Sequence, residues 1–194
     1  MEQFYQKTFS LKKKFTFKEN GVDIDFKDSD GNFSLFINYD RILPRENTRV
    51  FTKHKKRILQ IGLLLAGLTF LRGIISVNSD KHMTFAPIAT SLIVAAIFYG
   101  YYYLTKVKYY AIGLEDNKRF QVIYNKPSHQ AVLDFLDDLF ERRKIYYRNE
   151  YFIINYENER KKEIDKMKWL LSEKVITENE FNVVLDEINE NLDD

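Results

Sequence analysis

Histidines, clustered carboxylates and glycine-rich loops are the first residues to test for chemistry. The three histidines, His54, His82 and His129, fall in a basic flank, a short polar loop and the first turn of a helix. None has a partner at metal-ligand spacing, so each reads as a solvated side chain. The stretch Asp28-Ser29-Asp30-Gly31-Asn32 has calcium-loop residue types. Taking Gly31 as the loop glycine, however, puts Phe26 and Ile37 where carboxylates are required. Asp134, Asp137 and Asp138 fit the solvated face of a helix better than an acid–base pair. Cysteine is absent, which removes disulfides and thiolate metal sites, and the seven glycines form no phosphate-cradling pattern. Aromatics among the lysines of Lys12 to Phe17 could stack on bases, but strand alternation accounts for Phe15 and Phe17. The expectation is therefore a non-enzyme with no catalytic, cofactor or metal residues and no nucleic-acid partner.

The chain of 194 residues has room for one domain with additions or for two small units, and its 45% hydrophobic and 15% aromatic content demands a packed core. Its mean hydropathy is −0.40, yet Ile58 to Val77 carries one charge, Arg72, and Met83 to Leu104 carries none. Each is about the length that crosses ~30 Å of hydrocarbon as a helix. The expected architecture is a two-helix transmembrane hairpin. Lys-His-Lys-Lys-Arg precedes the first stretch and Lys106 and Lys108 follow the second, so the positive-inside rule puts both chain ends in the cytoplasm. Gly62, Ala66 and Gly73 on the first helix, with Ser91, Ala95, Ala96 and Gly100 on the second, offer small-residue packing. Arg72 reads as an intramembrane polar residue that snorkels outward.

Charge is segregated along the chain. Arg41 to Arg57 holds seven bases (Arg41, Arg45, Arg49, Lys53, Lys55, Lys56 and Arg57) against Glu46, whereas residues 150–194 hold 13 acids and six bases, a net of −7. A basic block beside an apolar run suits an anionic lipid surface, and Lys53, Lys55, Lys56 and Arg57 are the residues expected to meet it.

Outside the apolar runs, Phe15 and Phe17, then Val22, Ile24 and Phe26, then Phe33, Leu35 and Ile37 alternate with polar residues, predicting three antiparallel strands. Asn20-Gly21 is a hairpin signal in which both turn residues would take positive φ, and Asp30-Gly31 marks a second turn. Two more strands, Lys106 to Leu114 and Arg119 to Tyr124, precede a helix capped by Ser128 and running to about Tyr147, with Val132, Phe135, Leu136, Leu139 and Phe140 on one face. Strands ending in Phe33-Ser-Leu-Phe-Ile-Asn-Tyr-Asp-Arg-Ile42 and followed by a final amphipathic helix resemble bacterial pleckstrin-homology-like domains, here split by the apolar runs. The resemblance implies a binding scaffold and no enzyme.

In the tail, Ile164, Met167, Leu170 and Leu171 share one helical face and Phe181, Val184, Leu185, Ile188 and Leu192 another; Thr177 and Glu180 are spaced as a capping box. The Ile176-Thr177 to Glu180-Phe181 pattern resembles the SHOCT module, a short C-terminal two-helix unit of bacterial proteins. Lys174-Val175 stand where that module commonly has a glycine. The resemblance implies oligomerisation or partner contact, for which Trp169, Leu170, Ile176 and Phe181 are the candidate residues, with internal packing as an equal alternative.

The expected fold is thus an α+β membrane protein: a transmembrane hairpin (58–77 and 83–104, within 53–105) inserted in a small antiparallel sheet or barrel built from 1–52 and 106–150 and capped by a helix, then a linker (151–160) and a helical hairpin (161–194). The expected function is a bacterial inner-membrane scaffold, multi-pass, homo-oligomeric or recruiting a protein partner. The alternative is a toxin-immunity or phage-defence protein acting at the bilayer, where Arg72 would matter.

Overall fold

The computed structural model describes residues 2–8, 11–28, 31–54, 56–79 and 86–192. Seven strands and five α-helices follow in the order β1 (Gln3–Lys7), β2 (Lys12–Phe17), β3 (Gly21–Asp28), β4 (Gly31–Asn38), β5 (Arg49–Lys53), α1 (Lys56–Ser79), α2 (Ala86–Leu104), β6 (Val107–Gly113), β7 (Arg119–Ile123), α3 (His129–Tyr151), α4 (Arg160–Ser172) and α5 (Glu178–Asn191). Two compact units divide them: residues 1–50 with 110–194, and residues 51–109.

The first unit is built on a four-stranded antiparallel sheet, β1-β2-β3-β4, and on β7 with the end of β6, which belong to a second sheet ordered β5-β6-β7. One five-stranded sheet or barrel was expected, so this is a correction. β1 escapes a pattern search because one of its two inward residues is polar: Phe4 and Gln6 are both buried. β5 lies inside the basic block, whose charges read as a membrane flank. Gly21 does not take the positive φ expected of a hairpin turn; it opens β3 opposite Asn38, where an added Cβ would lie 2.3 Å from the Ile37 carbonyl oxygen. Close approach, not a left-handed turn, is what demands glycine there.

Three phenylalanines of the first sheet surround one of α3. Phe135 stacks on Phe4 at 4.5 Å and lies 4.9 Å from Phe15 and 5.4 Å from Phe17, all four buried. Such ring pairs add about 0.5–1.5 kcal/mol each beyond their burial. α3 starts as expected, the Ala131 N–H donating to Ser128 Oγ at 3.1 Å, and runs four residues further than its periodicity indicated, to Tyr151.

Side chain and loop stitch the sheets of this unit together. The buried Gln6 amide donates to the carbonyls of Ile123 (2.8 Å) and Lys126 (2.6 Å) and accepts from the Ile123 N–H (2.8 Å), so it acts as one rung of a ladder between β1 and β7. At the other end Ile42 bridges Leu114, and the Leu43 N–H donates to the Gly113 carbonyl.

In the second unit α1 and α2 pack against each other. Gly62 is met by Phe98, and Ala66 and Ser91 are buried, whereas nothing lies within 4 Å of a Cβ added at Gly100. The expected two-helix transmembrane hairpin is not supported. Among the described residues one helix is long and apolar enough to cross a membrane, over Lys56–Ile75, with mean hydropathy 2.0; the apolar part of α2, Ile88–Leu104, is shorter. Met83, Thr84 and Phe85, which completed the second apolar run, lie outside the described residues. A multi-pass placement is not supported by the described residues.

Replacing Gln6 by Leu removes the side-chain partner of the buried Ile123 N–H and carbonyl. The variant is expected to lose about 2–3 kcal/mol of stability, read as a lower denaturant midpoint with an unchanged slope.

Candidate functional site

Strand register gathers charges that sequence separates. Lys7 lies directly opposite Lys12, and Lys12 directly opposite Lys27, so three lysines stand in a row on neighbouring strands. Successive side chains in a strand alternate faces, so this row is on the side of the sheet away from buried Phe15. All three are exposed and none is ion-paired among the described residues. Like charges directly opposite cost roughly 0.2–1 kcal/mol per pair. The row therefore stores repulsion that an anion would relieve.

In the adjacent row Tyr5, Lys14 and Asp25 are opposed, with the Lys14 ammonium 5.8 Å from the Tyr5 ring centre. Together with Phe26, Asn32, Phe33 and Ser34 these residues line an open groove of ≈ 620 Å³. Its lining mixes lysines with aromatic side chains. Sequence reasoning weighed Lys12 to Phe17 only as a stacking stretch, because residues 7, 12 and 27 share no spacing that marks them as a cluster.

The predicted partner-contact residues sit at the joint between α3 and the tail. Leu170 and Ile176 are buried in a cluster with Met167, Val175, Ile188 and Tyr147; Phe181 is half-buried against it. Trp169 is 37% exposed and meets the Tyr147 and Tyr151 rings edge-on at 5.2 and 5.3 Å. The hairpin thus buries its apolar face mainly between its own two helices, with Tyr147 and Tyr151 of α3 packed against it. The capping box forms: Glu180 N–H donates to Thr177 Oγ1 at 3.3 Å and Thr177 N–H to Glu180 Oε2 at 2.8 Å.

Two arginines of α3 complete the joint. Arg143, 4% exposed, donates from Nε to the Ile42 carbonyl at 2.5 Å, pairs with Glu173, and lies 4.4 Å over the Tyr147 ring. Burial pushes the Tyr147 hydroxyl up to about 12, against the opposing pull of Arg143. Arg148 reaches Glu180 at 2.8 Å. That hydrogen bond, with the Thr177 N–H, holds the Glu180 carboxyl down to about 2. Glu163 is buried, which raises its pKa, but Lys166 at 2.5 Å, the Asn158 amide at 2.7 Å and the Asn155 N–H outweigh this and leave it lowered.

Of the expected lipid contacts, Lys53, Lys56 and Arg57 are exposed at the end of β5 and the start of α1, and Lys55 lies outside the described residues. Arg72 is exposed on α1. His54 stacks on Tyr102 at 5.4 Å, and His129 stacks on Tyr124 at 4.5 Å with the Tyr110 hydroxyl 3.2 Å away; His82 is outside the described residues. Among the described residues no three His, Asp or Glu side chains are gathered to hold a metal. No family model, no curated protein and no solved structure matches the chain.

Lys174 sits at φ 60°, one residue past the α4 C-cap, with the Val175 N–H donating to the Leu170 carbonyl and the Lys174 N–H to Leu171. This is the left-handed C-terminal cap that glycine fills without strain. Lys174→Gly is expected to raise stability by roughly 0.5–1 kcal/mol, seen as a higher Tm.

Glu180 has a folded pKa below its unfolded value, so its contribution is full above the ordinary Glu range and disappears as pH falls towards about 2. The Tm difference between the native chain and Glu180→Gln should therefore shrink steadily from pH 5 to pH 2.

Proposed function

We propose that this chain is a non-enzymatic bacterial scaffold held at the inner membrane, with a pleckstrin-homology-like binding unit in the cytoplasm and a SHOCT-like tail for self-association or partner recruitment. The membrane part rests on one observation: in the crossing-length stretch of α1 only 11% of the 18-residue window is buried, with Leu64 64% and Ile75 68% exposed. At about 25 cal/mol per Å² of apolar surface, leaving such side chains in water is far costlier than placing them in lipid. Exposed Lys53, Lys56 and Arg57 at the entry to α1 favour the cytoplasmic face for the strand unit that precedes them.

Support for the binding unit comes from antiparallel strands followed by a helix that fills their core with Phe135, and from the open groove. A non-catalytic role is favoured by how buried polar groups are used. Gln6, Arg143 and Glu163 each join two parts of the chain through hydrogen bonds, which leaves their chemistry committed to structure.

Fractionation of cells expressing the chain tests the location: it should stay with membranes through a high-salt wash and come away only with detergent. Recovery as a dissolved monomer in plain buffer would end the proposal. In detergent, removing residues 157–194 should abolish capture of a second copy or partner, while leaving the membrane fraction unchanged.

A further inference from the structure

Resting on the reading that the tail mediates self-association, we infer that the acidic outer face of α5 docks in the lysine-lined groove of a second copy of this chain, head to tail. The fourteen residues of α5 hold five acids and no base. Glu180 is committed to Arg148 and the capping box, and Glu187 accepts from the Tyr156 hydroxyl at 2.7 Å. Asp186 and Glu190 remain exposed, one turn apart, and neither is ion-paired among the described residues. Val183, 68% exposed, precedes Asp186 by three positions and Glu190 by seven, so an apolar side chain and two carboxylates share one helical face.

The groove offers the complement. Lys7, Lys12 and Lys27 supply three ammonium groups without an ion pair among the described residues, and the Tyr5 ring, on the same face and 56% accessible, supplies apolar surface for Val183. Docking relieves the repulsion along the lysine row and pairs carboxylates that the chain itself leaves solvated. The inner face of α5 cannot serve, because Ile188 is fully buried against α4 and its neighbours. The two patches are different surfaces, so the contact is heterologous, and each copy carries one of each.

Light scattering and sedimentation of the full chain in detergent test the contact. Association at ~20 mM salt should weaken about tenfold or more at ~500 mM, as screening shortens the reach of the charges. A groove variant (Lys7→Glu, Lys12→Glu, Lys27→Glu) and a helix variant (Asp186→Lys, Glu190→Lys) should each stay single, and mixing the two should restore association. A variant that merely misfolds gives no such rescue. Association untouched by either charge swap, yet lost on deleting residues 157–194, overturns the groove contact and spares the tail reading; association that survives the deletion overturns both. A wild-type chain that remains single at low salt, or whose groove lysines hold anionic vesicles or a polyglutamate peptide without a second copy, also overturns the inference.

Discussion

One buried guanidinium ties the strand unit to the tail. Arg143 spends its donors on the Ile42 carbonyl and the Glu173 carboxylate, which come from the chain after β4 and from the end of α4. A charge so deep is tolerable only while both partners stay in place, because removing one leaves the other's desolvation uncompensated. The two hydrophobic clusters lie on either side of this contact: Phe135 and Leu139 belong to one, Tyr147 to the other. α3 is thus a single spine that enters the strand core with its first half and carries the tail on its second.

That arrangement changes how the tail can act. A two-helix unit of this size has too little core to stand alone, and here it leans on Tyr147, Tyr151 and Arg148 rather than waiting for a partner to complete it. The side chains best suited to capture another protein by burial, Leu170 and Ile176, are already covered. What the tail still offers is charge, Val183 and the exposed part of Trp169. Recognition through such a surface depends on salt and on the sign of the opposing face more than on shape.

Local signals were the legible ones. Ser128, Thr177 with Glu180, and the apolar face of α3 each announce themselves within one or two helical turns, and each is found where the spacing put it. The missing pieces depend on non-local pairing. Gln6 as a sheet-joining rung has meaning only beside Ile123, 117 positions away. The lysine row exists only through the register of three strands. The apolar run from Met83 differs in kind: its first residues lie outside the described ones, and the described apolar stretch is Ile88–Leu104. Glycine at position 21 was recognised as special, but for a torsion angle it does not adopt.

Residues 51–109 interrupt the strand unit between its first four strands and the segment that completes it. During synthesis, Phe4, Phe15 and Phe17 leave the ribosome long before Phe135, which follows Phe15 by 120 positions. At about 5–20 residues per second, that wait is roughly 6–24 s. Through it the nascent β1–β4 segment shows a greasy aromatic face to the cytosol while the apolar helices are being delivered. An exposed aromatic face of that kind invites self-association for as long as the interval lasts.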